Sequence, residues 1–296
     1  MAPSMPPTGR RGLRGSIRRR PLIWFFALAY GLSWAAWAPY ILSENGTGVW
    51  AFTFPGGSAG SQLLGVLPGA YLGPVTAALL VIGITEGRAG LKVWRGRMTR
   101  FRVGWRWYLL VLLSVPAALV LASTVLAGQA PALPSATVLA AYLPALLAQM
   151  VTTGLAEEPG WREFAMPRMQ SRYGALTATF VVGPLWGAWH LPLFLTEWGG
   201  GPDVSWIKPT EFMATTIAFS IVMTWVFNKS GESMPLVMLL HCGVNNTFST
   251  AWSDMFPSLA TSDAAHAFFL AAVAGATILL IATRGRLGQP KTVPRH

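Results

Sequence analysis

The chain has 296 residues, of which 53% are hydrophobic and 11% charged, with a mean hydropathy of +0.46. Soluble domains carry about 25% charged residues, so this composition excludes a soluble globular protein and points to an all-α, polytopic membrane bundle. The net charge of +11 sits in short basic segments between apolar runs, which is the pattern of membrane topology and not of a nucleic-acid binder. The single cysteine, Cys242, excludes an internal disulfide and a cysteine-based zinc cage.

Residues 1–20 form a basic arm carrying Arg10, Arg11, Arg14, Arg18, Arg19 and Arg20. Eight apolar runs follow, near 21–43, 63–85, 107–127, 135–157, 174–195, 210–227, 233–253 and 264–283. About 20 residues of helix suffice to cross a hydrocarbon core of about 30 Å, so eight transmembrane helices are predicted within 21–283, before a tail at 284–296. The first run continues well past Ala27-Leu-Ala29, so it reads as a retained helix and not a signal peptide.

Charge sorts the connections. Every Lys and Arg except Lys208 falls in the arm, the second, fourth or sixth connection, or the tail. The positive-inside rule then puts both termini in the cytoplasm. The other face carries Glu44, Glu197, Asp203, Asp254 and Asp263. The stretch 90–107 mixes Trp and Phe with Arg, which suits a segment lying on an anionic inner leaflet. Gly69 and Gly73 form a G-x-x-x-G pair for close helix packing. Gly56 to Gly60 fits G-x-S-x-G but precedes an apolar run with no strand before it, so it reads as a flexible outer loop and not a nucleophile elbow.

Ionisable side chains inside a membrane are costly, and they mark function by default. Glu157 and Glu158 lie at the end of the fourth run, His190 in the fifth and His241 in the seventh. Glu211 and His266 lie near helix ends and read as structural. If the fourth helix runs on to about Gln170, Glu157 is 16 residues before a turn at Tyr173-Gly174, and His190 is 16 residues after it. Antiparallel helices then bring the two level. His241 lies about 12 Å into the seventh helix, so the three meet on the cytoplasmic side of the midplane, and an opening toward the cytoplasm is expected.

Spacing also suggests roles. Glu158 and Arg162 stand at i, i+4 and can pair. His241 and Asn245 share the same spacing and present a ring nitrogen beside an amide. A buried carboxylate beside an imidazole can activate water, and a second His with an Asn can stabilise an oxyanion. Glu157, His190 and His241 are also a set that can hold zinc with an open water position. On spacing alone, a Glu-Arg-His network that only locks helices together fits equally well. A proton-relay transporter fits less well, since no inverted repeat with paired broken helices is visible.

Glu157-Glu158-Pro-Gly-Trp-Arg162 resembles the E-E-x-x-x-R motif of the CPBP (CAAX protease and bacteriocin-processing, or Abi) intramembrane endopeptidases. Trp186-Gly-Ala-Trp-His190 resembles that family's F-x-x-x-H motif, with Trp in the Phe place, and His241-Cys-Gly-Val-Asn245 resembles its H-x-x-x-N motif. The motif core spans 157–245, and the predicted helix layout extends the similarity over most of the chain. The resemblance implies a protease domain over 21–283. Glu157 and His190 would activate water, His241 and Asn245 would stabilise the oxyanion, and Glu158 and Arg162 would support the site. It leaves zinc open, because the family has been described as metal-dependent and as glutamate-dependent. Trp186 departs from the pattern and is expected to fill the same packing role. The implied substrate is a membrane-associated peptide or protein, with no nucleic-acid partner, at a bacterial plasma membrane with an anionic inner leaflet. The alternative within the family is a non-catalytic bacteriocin self-immunity or scaffold protein.

Overall fold

The computed structural model describes residues 12–289; Arg10, Arg11, Lys291 and Arg295 of the predicted basic termini, with His296, lie outside the described residues. Helices α1 (Leu13–Arg19) and α2 (Pro21–Leu42) are followed by α3 (Gly57–Thr85), α4 (Gly87–Met98), α5 (Trp105–Ala127) and α6 (Ala136–Tyr173). Then come α7 (Ala175–Trp189), α8 (Ile207–Lys229), α9 (Met234–Asn246, continuing helically to Met255) and α10 (Thr261–Thr283). No strand occurs among the described residues.

Seven helical stretches are long and apolar enough to cross a membrane. The seventh predicted run, 233–253, is not among these seven and forms the continuous helical stretch of α9. Its His241, Asn245 and Asn246 dilute its hydropathy. Its side chains from Met234 to Val244 are almost all buried by neighbouring helices, so it need not be apolar all round.

The connections gather at two ends. At the basic end, Arg18 Nε donates to Ile84 O at 3.0 Å, Ser233 Oγ to Arg100 O at 2.8 Å, and Asn228 Nδ2 to Leu287 O at 2.9 Å. At the acidic end, Glu197 N donates to Asn45 O at 2.8 Å and Ala132 N to Met255 O at 2.9 Å. The predicted sorting of loops is therefore a property of the fold. Helix α4 lies across the basic end, where Arg97 binds Glu163 at 2.8 Å and Glu232 at 2.7 Å. Burial of this guanidinium opposes its charge, but the two carboxylates hold its pKa above the ordinary arginine value.

Small residues set the helix spacing. At Gly69 a Cβ would fall 2.2 Å from Trp37 Nε1, and at Gly73 it would fall 2.8 Å from Ala29 O, so the predicted G-x-x-x-G pair packs against α2. The predicted loop at 56–60 is instead the start of α3: Gly56 takes φ +95° just before it, and the helix begins at Gly57. Four π turns interrupt the helices, at Tyr71–Val75 in α3, Met150–Gly154 and Pro159–Ala165 in α6, and Thr247–Ala251 after Asn246 in α9. Two of these flank Glu157 and Glu158, in keeping with the use of π turns at functional sites.

Gly160 lies in one π turn and faces another: its Cβ would stand 2.5 Å from Pro74 Cβ and 2.7 Å from the Pro74 backbone. Overpacking of this kind costs about 1–3 kcal/mol. Gly160→Ala is expected to lower the thermal midpoint of the detergent-solubilised protein. Gly83→Ala, with open space around its Cβ, should leave the midpoint unchanged or slightly raised.

Candidate active site

The site forms where α6, α7 and α9 cross. Gly154 brings α6 and α9 together, since its Cβ would lie 3.0 Å from Cys242 Sγ. Gly187 does the same for α7 and α8, with Thr216 Oγ1 at 2.4 Å. Helix α7 stops at Trp189 because Pro192 lacks an N–H and restricts the residue before it; a 3-10 segment, Leu191–Leu195, follows. His190 occupies the junction.

Glu157 and His190 meet as the level-matching argument predicts. His190 Nε2 lies 3.7 Å from Glu157 Oε2, and both residues are buried. His190 Nδ1 lies 2.9 Å from Trp186 O. A carbonyl only accepts, so Nδ1 carries a proton; in the neutral form of the ring, Nε2 turns its lone pair toward Glu157. The imidazole is boxed by aromatic rings, with Trp198 stacked at 5.7 Å, Phe212 edge-on at 5.1 Å and Trp189 at 4.6 Å.

Glu158 faces the other way, as its turn on the helix requires. Its Oε2 forms an ion pair with Arg162 Nε at 3.4 Å, and both side chains are fully buried. Its Oε1 accepts from His241 Nδ1 at 2.8 Å. The carboxylate therefore braces His241 as well as Arg162, which the spacing argument missed because residues 83 apart carry no local signal. Arg162 also donates to Ser220 Oγ at 3.1 Å.

Trp186 does more than fill the space of a Phe. Its indole N–H donates to Glu157 Oε2 at 2.8 Å, Arg162 stacks on its face at 4.6 Å, and its ring meets His241 at 5.2 Å and His190 at 6.0 Å. The substitution of Trp for Phe in the motif was the visible signal; the hydrogen bond it permits was not. Away from the site, His266 and Glu211 pair with each other at 2.6 Å near helix ends.

Glu157, His190, His241 and Asn245 all line one cavity of about 490 Å³. Asn245 is half-buried, and its amide makes no hydrogen bond within the protein among the described residues. Glu158 and Arg162 lie behind the wall. Glu163, six residues after Glu157, binds Arg97, so the carboxylates sit about 9 Å in from the basic end. That depth agrees with the sequence argument. The expected opening toward the basic end does not: the cavity extends toward the acidic end, along the first half of α3 and the start of α8. The π turn Pro159–Ala165, entirely buried, closes the basic side.

Residues 139–247 match a family model described as Type II CAAX prenyl endopeptidase Rce1-like. The motif-bearing core is thus similar to that family over about a third of the chain. This Rce1-like stretch contains every residue named at the site from Glu157 to Asn245, and the family resemblance seen in the motifs is borne out over it. CAAX prenyl protease 2 of Methanococcus maripaludis is 29% identical over 92 residues, which make up 30% of this chain and 34% of that protein. The chain thus matches about a third of the length of this curated relative. The Rce1-like core and the apolar helices around it make this an integral membrane protein.

Removing one partner of a buried ion pair costs about 3–5 kcal/mol, because the other charge is left uncompensated. Arg162→Leu is therefore expected to destabilise the protein strongly in a thermal unfolding assay. Adding Glu158→Gln, which neutralises the stranded carboxylate, should recover a large part of the loss.

Proposed function

We propose that the protein is an intramembrane endopeptidase that hydrolyses a peptide bond of a membrane-associated protein or peptide. The observation that carries this reading is the pair of acceptors in the cavity, Glu157 Oε2 and His190 Nε2, 3.7 Å apart. A water molecule held by both donates one hydrogen to each and turns a lone pair toward the cavity. As its oxygen attacks the scissile carbonyl carbon, Glu157 takes the proton. Negative charge on the carbonyl oxygen is met by the Asn245 amide and by Nε2–H of a doubly protonated His241, whose other nitrogen donates to Glu158. The C–N bond then breaks as the leaving nitrogen takes the proton back from Glu157. Trp186 donates to the same oxygen of Glu157, Oε2, and so fixes the direction in which its remaining lone pair points. The basic end faces the cytoplasm in this reading, and a bacterial plasma membrane is the setting.

Metal chemistry was the open alternative. Glu157, Glu158 and His241 place ligand atoms within 4.8 Å of one another and can hold a metal ion by proximity. This trio has Glu158 where the sequence argument had His190. Within this trio the buried Arg162 already pairs with Glu158 and His241 Nδ1 donates to that carboxylate, so His241 would offer Nε2 and Glu157 a carboxylate oxygen. No step is routed through a metal.

Glu157→Gln is expected to abolish cleavage, by roughly a hundred- to ten-thousand-fold, while leaving the fold intact. The check is a comparison of new protein termini in membranes from cells making wild type or variant at matched levels. Identical profiles, with both proteins folded, would replace the protease by a non-catalytic immunity or scaffold role. Once a substrate is known, dialysis against a strong chelator should leave the cleavage rate of the purified protein unchanged, and a loss restored by zinc would return the metal mechanism.

A further inference from the structure

The route into the cavity has a side. On α3 the walls are Ala59, Gln62, Leu63, Val66 and Leu67, near the acidic end, with Ala70 deeper. Trp198, in the loop before α8, and Phe212, one turn into α8, line it too. None of its lining residues belongs to α4, to 163–175 or to 229–234, the segments that build the basic end. A second hollow shares Gln62, Gln149, Trp198, Phe212, Asn245 and Phe268 with the first. It continues to Ser253, Phe256 and Pro257, at the acidic-end turn between α9 and α10. The two hollows therefore form one passage from Glu157 to that end of the bundle.

Charge gives the passage its orientation in the membrane. Among the described residues, the Lys and Arg side chains other than Lys208 belong to the opposite half of the bundle, and basic connections stay in the cytoplasm. We propose that the scissile polypeptide segment reaches Glu157 from the acidic end, which is the face of the membrane away from the cytoplasm. This rests on the endopeptidase reading and adds to it the class of substrate: a segment presented at the outer face. The passage wall is largely apolar and aromatic, so it takes apolar side chains on either side of the bond to be cut. Beside it, Tyr40 and Ser61 hold the Glu197 carboxylate next to Gln62 and Trp198, which favours a positively charged residue where the segment leaves the mouth.

The test is labelling of single cysteines with a membrane-impermeant maleimide, in a Cys242→Ala background, on intact cells stripped of outer layers and on inside-out vesicles. Gln62→Cys probes the passage, Ser253→Cys its mouth and Arg95→Cys the exposed surface of the basic end. Expected is labelling of the first two at least tenfold stronger in intact cells, and of the third at least tenfold stronger in inside-out vesicles. Labelling of Gln62→Cys and Ser253→Cys only in inside-out vesicles, or of neither in either preparation, would overturn the proposal. If only one of the two folds, the other decides alone. Sidedness is read without any cleavage, so outer labelling in a protein that cuts nothing would remove the protease reading and leave the route standing. Where cleavage is measurable, blocking Gln62→Cys from outside should stop it.

Discussion

Two adjacent carboxylates inside a hydrophobic bundle are the constraint around which this protein is built. Burying one carboxylate without a partner costs several kcal/mol, and two neighbours also repel. The fold resolves this by giving them opposite surroundings. Glu158 is sealed from solvent between Arg162 and His241. Glu157 takes one indole hydrogen bond and otherwise faces the cavity with His190. One carboxylate is spent on structure so that the other can be left for chemistry.

Holding that division requires helices to come unusually close and to lose regular geometry in places. Gly154, Gly160, Gly183 and Gly187 each stand where a Cβ would press on a neighbouring helix or side chain. The π turns on either side of Glu157 and Glu158 re-aim the two side chains without breaking α6, which stays helical from Ala136 to Tyr173. Trp186 links the two halves: it touches Glu157, Arg162, His190 and His241 at once. A Phe there would keep the ring contacts and lose the donor.

Several elements were legible before any coordinates. Apolar runs of membrane length located the long helices, although α3 starts six residues before its run and α6 continues sixteen residues past its run to Tyr173. The turn at Tyr173-Gly174 made the level of Glu157 and His190 a matter of counting, and the i, i+4 pair Glu158 and Arg162 followed from helical period. The start of α3 was misread because Gly56-Gly-Ser-Ala-Gly60 carries little helix propensity, while the helix there is held by packing on α2. Glu158 binding His241 was invisible for a different reason. A bond across 83 residues depends on how α6 and α9 cross, and helical period says nothing about crossing.

The amino-acid order by itself determined the helices, their alternation between a basic and an acidic end, and the depth of the carboxylates, because each depends on local hydropathy, charge or rise per residue. Only the tertiary structure decided which carboxylate faces the cavity, which histidine each one meets, and toward which end the passage leads. Those outcomes come from close packing, in which the volume left open is whatever the neighbouring helices fail to fill. The argument from depth put the site near the basic end and expected it to open there. The packed π turn of α6 closes that side, and the cavity runs instead along the first half of α3 and the start of α8.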